Sequence, residues 1–307
     1  MLYEEGEELR MDRLLKIGLV LAIGAVILAC NIPWLNPEPE NIFQQPVQTL
    51  TAMVQLLPTS TCSTIATHVI PTSAPLPTFT PLPTQSTAPH RAGSQVTAKF
   101  LTKSPVIDGN WDDWKNLSSI YPVTYVINGA SRWKNPADLE GSFILGWDNS
   151  YLYLAVKVTD DLYVQNSSGA YIYKGDDVEL QLDTNLGVDF MISSMNNDDY
   201  QLGISAGKGS INGPKEAYLW YPQIIKGAMT DQVVIASQGG NGIHYVEARI
   251  PWNLFGLSPY AGLRVGFALA LSDNDNSIVN DWQTMISNTP GRKTLNPTTW
   301  GELVLTM

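Results

Sequence analysis

The chain is poor in the side chains that carry most reaction chemistry. Its 307 residues hold two cysteines and three histidines, and His68 and His90 both fall in a proline-rich stretch. Two cysteines make no disulfide framework, and there is no Ser-His-Asp arrangement, no phosphate loop and no CxxC pair. Positive charge is also scarce: 18 Lys and Arg against 29 Asp and Glu give a net charge of -11 and a pI near 4.6. Nothing resembles a basic stripe, which argues against a nucleic-acid partner. An acidic surface suits neutral or cationic ligands and calcium. Phenylalanine is sparse too, at 7 residues against 9 Trp and 13 Tyr. Rings with a polar handle are favoured where a flat apolar face meets a partly wet ligand, although strands in general are rich in them.

Long apolar runs are limited to residues 17–29, shorter than the roughly 20 residues of a membrane-spanning helix. Arg10, Arg13 and Lys16 precede this run and Cys30 follows it. The pattern is that of a signal segment over 1–30, and Ile27-Leu28-Ala29-Cys30 resembles a bacterial lipobox, with Cys30 as the lipidated residue. An uncleaved signal anchor is the alternative. The acidic residues 1–10 are atypical of a signal and point to Met11 as an alternative start. Residues 31–92 carry more than half of the 20 prolines, mixed with Thr and Ser. Proline removes donors and fixes φ, so a disordered, extended stalk is expected there. Either anchor places the rest outside the cytoplasm, at the bacterial cell membrane or surface.

From residue 93 to 307 the pattern is that of strands. Leu152, Leu154, Val156 and Val158 alternate with Tyr151, Tyr153, Ala155 and Lys157; Val178, Leu180 and Leu182 alternate with Asp177, Glu179, Gln181 and Asp183. This period of two predicts one buried and one wetted face. Further strands are expected over 96–100, 121–127, 142–147, 189–193, 200–205, 232–237, 243–250, 264–272 and 301–306. Pro251 to Gly256 carries the one helix signal, and 111–114 suits a helical turn. Many short strands with almost no helix predict an all-β, two-sheet antiparallel sandwich of jelly-roll or immunoglobulin-like type.

Seven segments in order, VIDGNWDDW (106–114), GWDNSYLYLAVKVTDD (146–161), GDDVELQLD (175–183), DDYQLGIS (198–205), YVEARIPWNLFG (245–256), VGFALALSDND (265–275) and WGELVL (300–305), resemble the family 9 carbohydrate-binding modules and their DOMON-like relatives. The resemblance implies a non-catalytic sandwich that binds polysaccharide or oligosaccharide, often appended to secreted glycoside hydrolases, with structural calcium. It places one sugar-clamping ring at Tyr173 and a hydroxyl-accepting carboxylate at Glu179. An expected arginine falls on Gly203, an amide on Ser205, and a second ring on Thr294 and Leu295. Half the clamp is therefore missing, and Trp220, Tyr221 and Trp282 are the substitute rings. The other outcome is a sandwich that has lost its sugar site and serves protein contacts or spacing.

The acidic pairs at 112–113, 160–161, 176–177 and 198–199 read first as turn caps. Neighbours on a strand point to opposite faces, so they do not form an acid–base couple. Calcium is the better functional option, with Asp198, Asp199, Asp273 and Asp275 as candidate ligands. A haem held by His244 with Met191 or Met195, as in some DOMON-like relatives, is a remote third class. No haem is expected.

Overall fold

The computed structural model describes residues 89–114 and 117–307; the signal segment with Cys30, and the stalk up to 88, lie outside the described residues. Among the described residues of the unit that spans Pro81–Met307, the regular elements are almost all strands. Its elements are β1 (Gln95–Phe100), β2 (Tyr121–Val123), β3 (Tyr125–Asn128), β4 (Leu139–Trp147), β5 (Tyr151–Asp160), β6 (Asp177–Asp183) and β7 (Asp199–Ser205). They continue with β8 (Glu216–Tyr221), β9 (Gly227–Ala228), β10 (Val234–Gly240), β11 (Ile243–Pro251), β12 (Arg264–Asp273), β13 (Thr284–Ser287) and β14 (Gly301–Thr306). No helix among the described residues is long and apolar enough to cross a membrane.

The hydrogen-bonded order is β10-β11-β5-β4-β1-β14-β12-β6-β7-β8-β9. Two segments lace it into a sandwich. β1 runs parallel to both neighbours: Gln95 lies opposite Glu302 of β14, and Phe100 opposite Trp147 of β4. The expected single strand over 121–127 is two, because β2 pairs with β4 while β3 pairs with β13, which in turn pairs with β12. All other pairings are antiparallel. The β10-β11-β5-β4 half thus packs on the β14-β12-β6-β7-β8 half, with Phe143 of β4 meeting Phe267 of β12 at 5.8 Å between centroids. Leu152, Leu154, Val156, Leu180, Leu182 and Leu202 fill the same core, each burial contributing about 1.5–3 kcal/mol.

The wetted faces expected from alternation are covered. On β5, Tyr153 and Ala155 are buried in a second cluster with Leu101, Trp114 and Ile144, because residues 101–114 fold over that sheet. All seven residues of β6 are buried, including its four polar ones, so both halves carry an outer layer. Residues 189–193 are not a strand: Leu186–Asp189 is a short helix and a turn follows. Its apolar run is exposed, with Met191 79% accessible. Pro251 caps a 3-10 turn, Trp252–Phe255, that stops at Gly256 with φ 59°. Strands β8, β9 and β13 were not expected.

Candidate functional site

The outer face of the β6-β7-β8 sheet gathers the aromatic candidates. Tyr173 sits in the 3-10 segment Gly169–Lys174 that crosses this face. Trp220 comes from β8, and Trp282 from the loop before β13. Both indoles stand edge-on to the Tyr173 ring, each with centroids 6.1 Å away. Tyr218 extends the cluster at 5.9 Å from Trp220. The Trp220 indole is fixed at both ends: its Nε1 donates to Ala170 O at 2.9 Å, and its ring lies against Gly203. A Cβ at Gly203 would stand 2.3 Å from the indole. That contact explains the glycine where the resemblance placed an arginine, since a neighbouring strand's ring occupies the space.

Tyr221 does not join this cluster. β8 bulges at this point, with Leu219 opposite Leu202 and Tyr221 opposite Gln201, and the Tyr221 hydroxyl donates to Met195 O at 2.9 Å. Thr294 and Leu295, at the expected second ring position, bring no ring. Thr294 O accepts from Gln181 Nε2 at 2.7 Å, and Leu295 is 67% exposed. Ser205 is buried opposite Asp177.

Glu179 lies beneath the face, and sequence reasoning missed its principal partner. Arg292 places Nη2 3.1 Å from Glu179 Oε2 and Nε 2.6 Å from Gln181 Oε1. Both charged side chains are shielded, at 0% and 4% exposure. Burial lowers the Arg292 pKa, and the adjacent Glu179 carboxylate works against that shift. Gln201 Nε2 adds a second donor to Glu179 at 3.2 Å. The carboxylate is thus oriented by a guanidinium and an amide, as a group that accepts from a hydroxyl needs to be.

The acidic candidates separate. Asp273 and Asp275 converge with Asp160, their carboxylate oxygens all within 4.8 Å of one another; Asp275 also meets Asp138 and Asp161. In the latter set Lys134 Nζ lies 2.7 Å from Asp138 and 2.9 Å from Asp275. Asp198 converges with Asp183 and Asp189. Asp199 is outside that group, on β7, where its Oδ2 accepts from Asn196 N at 2.8 Å. Burial pushes Asp160 up to about 6 and Asp273 to about 7. Other pairs serve the backbone: Asp176 Oδ1 accepts from Asn274 N at 2.8 Å, and Asp160 Oδ1 from Leu162 N at 2.8 Å. His244 is buried on β11, with Tyr163 edge-on at 5.2 Å, and desolvation lowers its pKa to about 4.

A β-sandwich with an aromatic cluster above a braced carboxylate defines the class of sugar-binding sandwich modules. The chain belongs to the carbohydrate family 9 binding domain-like family, whose model matches residues 107–307. This is a family of non-catalytic carbohydrate-binding modules. Over 194 residues the chain is 28% identical to endo-1,4-beta-xylanase A of Thermoanaerobacterium saccharolyticum, covering 60% of this chain and 14% of the xylanase's length. In fold it is similar to a family 9 carbohydrate binding module of Caldicellulosiruptor kristjanssonii. The cellotriose complex has a TM-score of 0.53 at 23% identity, over 69% of this chain and 94% of that one. The glucose complex has 0.53 at 22%, over 69% and 96%.

Proposed function

We propose that the chain is a membrane-tethered, extracytoplasmic carbohydrate-binding module that captures polysaccharide or oligosaccharide for catabolism. The observation that carries this is Tyr173 flanked by Trp220 and Trp282, above the Glu179–Arg292 pair. C–H-rich sugar faces stack on rings while fixed polar groups orient hydroxyls. The match to a xylanase supports a secreted glycoside hydrolase as the functional partner. Calorimetry of the full-length chain against cello- and xylo-oligosaccharides tests the reading. Trp220→Ala is expected to cost about 2 kcal/mol, roughly 30-fold in Kd, as central aromatic anchors do. A folded chain that binds no sugar would leave a sandwich serving protein contacts.

The tether rests on residues 27–30. Cys30→Ser is expected to move the protein from a detergent-extractable, lipid-labelled membrane fraction to an unlabelled form. Unchanged lipid labelling in the variant sinks the lipoprotein reading.

Calcium fits the Asp160–Asp273–Asp275 cluster. Asp273 Oδ1 and Asp275 Oδ1 are buried and accept no hydrogen bond among the described residues, and hard cations want such oxygens. Bound there, the ion would neutralise the cluster and pin the Asp160 and Asp273 strand ends together. The Asp183–Asp189–Asp198 group is the second candidate, with Asp189 Oδ1 likewise buried and unpartnered among the described residues. The raised carboxyls set the pH dependence. Folded values near 6 and 7 lie above the ordinary 3.8, so the metal-free fold binds extra protons between about pH 4 and 7. It therefore loses stability as pH rises through that window. A cation that replaces those protons offsets the loss. Calcium at about 100 times its Kd is expected to raise Tm by roughly 5–10 °C at pH 7.5 and far less at pH 5. A Tm indifferent to calcium and chelator at pH 7.5 would remove the ion from this account.

A further inference from the structure

We infer that the opposite sheet carries a second, independent binding groove for a neutral saccharide, built on Trp111 and Tyr245. Tyr245 projects from the outer face of β11, the face that bears Glu247 and not the core-facing Val246 and Ala248. Trp111 comes from the VIDGNWDDW segment, and the two rings stand 5.7 Å apart at 52°. Between them and the β10–β11 hairpin lies a cavity of about 630 Å³. Asn110, Gln238 and Asn241 supply amides to its wall, and Asp112 adds a carboxylate.

The groove is preorganised. Glu247, fully buried, accepts from Asp108 N at 2.9 Å, Gly109 N at 2.8 Å and Trp114 Nε1 at 2.7 Å, which locks the segment that presents Trp111. Gly109, at φ 86°, lies so close to β10 that a Cβ there would stand 2.6 Å from the Ser237 carbonyl carbon. The hairpin side is equally defined: Gln238 Nε2 donates to Asp108 O at 2.8 Å, and Asn241 takes φ 58° in the turn.

Trp111 is not required to close the layer beneath. Trp114 is fully buried and fills that cluster, while Trp111 remains partly exposed at its edge. Among the described residues the lining contains no Lys, Arg or His, which disfavours uronates, phosphates and other anions. Two tilted rings with amides around them match the C–H faces and hydroxyls of an uncharged sugar. This site lies on a different sheet from Tyr173 and does not depend on sugar binding there. Two sites on one module would make polymer binding bivalent, strengthening it without any new contact.

The test is a titration of the full-length chain, ¹⁵N-labelled at tryptophan, with neutral cello-, xylo- and manno-oligosaccharides, read at the indole N–H signals. Trp111→Phe assigns the Trp111 signal, and Trp220→Phe and Trp282→Phe assign the others. A saturable shift of the Trp111 signal supports the groove, whether or not the Trp220 and Trp282 signals move. Trp111→Ala should then weaken binding to the matching insoluble polysaccharide by at least about tenfold and leave the Trp220 titration unchanged. A Trp111 signal unmoved by every sugar at millimolar concentration overturns the inference, even when Trp220 and Trp282 respond. So does a Trp111 shift produced only by the peptide PLPTFTPLPTQSTAP, which would give the groove to the chain's own proline-rich segment. Failure of the Tyr173 site shows separately, as Trp220 and Trp282 signals that no sugar moves.

Discussion

Arg292→Met is expected to destabilise the domain by about 3–5 kcal/mol, because it leaves Glu179 charged and buried with one amide donor. Glu179 keeps only Gln201 Nε2 at 3.2 Å once the guanidinium is gone, and Gln181 loses the donor to its Oε1. Against a typical stability of 5–15 kcal/mol, that loss moves the urea midpoint of the full-length chain far to the left. The double variant Glu179→Gln, Arg292→Met should recover most of it, since a neutral amide replaces the stranded carboxylate and the methionine preserves apolar volume. The double-mutant cycle isolates the pair's coupling. A single-variant loss below about 1 kcal/mol would mean that water reaches Glu179 and that the pair does not brace the face. The same variants separate stability from recognition. If Glu179 accepts from a sugar hydroxyl, Glu179→Gln lowers affinity even at temperatures where the fold is intact.

What was legible in the sequence follows the range of the interaction that fixes each residue. The β5 alternation is local: Leu152, Leu154, Val156 and Val158 needed only their own spacing to declare the core. The Pro251–Gly256 stop is local as well, set by one glycine at φ 59°. Trp220 and Trp282 could be proposed as rings, but not their meeting at Tyr173, which depends on three elements crossing one face. Arg292 was invisible because its partner Glu179 is 113 residues away and nothing near it in sequence marks it. Asp160 joined Asp273 and Asp275 for the same reason, through sheet topology. The faces expected to be wet were misjudged, since period two says which residues share a face and not what later covers it. The apolar run at 189–193 misled in the other direction: Phe190, Met191 and Ile192 imitate a strand, yet Asp189 ends a short helix there. Tyr221 stood next to Trp220 in sequence, yet at the β8 bulge its hydroxyl is committed to Met195 O.

Glu247→Ala should be about as damaging as Arg292→Met, although Glu247 touches no proposed ligand. Its carboxylate is fully buried and takes three hydrogen bonds: the amides of Asp108 and Gly109 and the indole of Trp114. Each buried donor left without a partner costs about 1–3 kcal/mol, which puts the alanine variant near 4 kcal/mol after partial relaxation. Trp114, also fully buried, would lose both its polar partner and the loop that holds it against Ile144 and Tyr153. Glu247→Gln keeps its acceptor oxygen on the two backbone amides, which share one carboxylate oxygen, but turns its NH₂ toward the Trp114 indole N–H, so an intermediate loss of about 2 kcal/mol is expected. Thermal melts of the full-length chain order the three forms as wild type above Gln above Ala. The order gives the DG of VIDGNWDDW a physical reason: a loop that offers two adjacent amides to one strand carboxylate docks a tryptophan layer on the outer face of β4 and β5. Equal melting of all three forms would mean that packing of Trp114 alone holds that layer. The Trp111 groove would then lack the rigid wall on which its saccharide site is built.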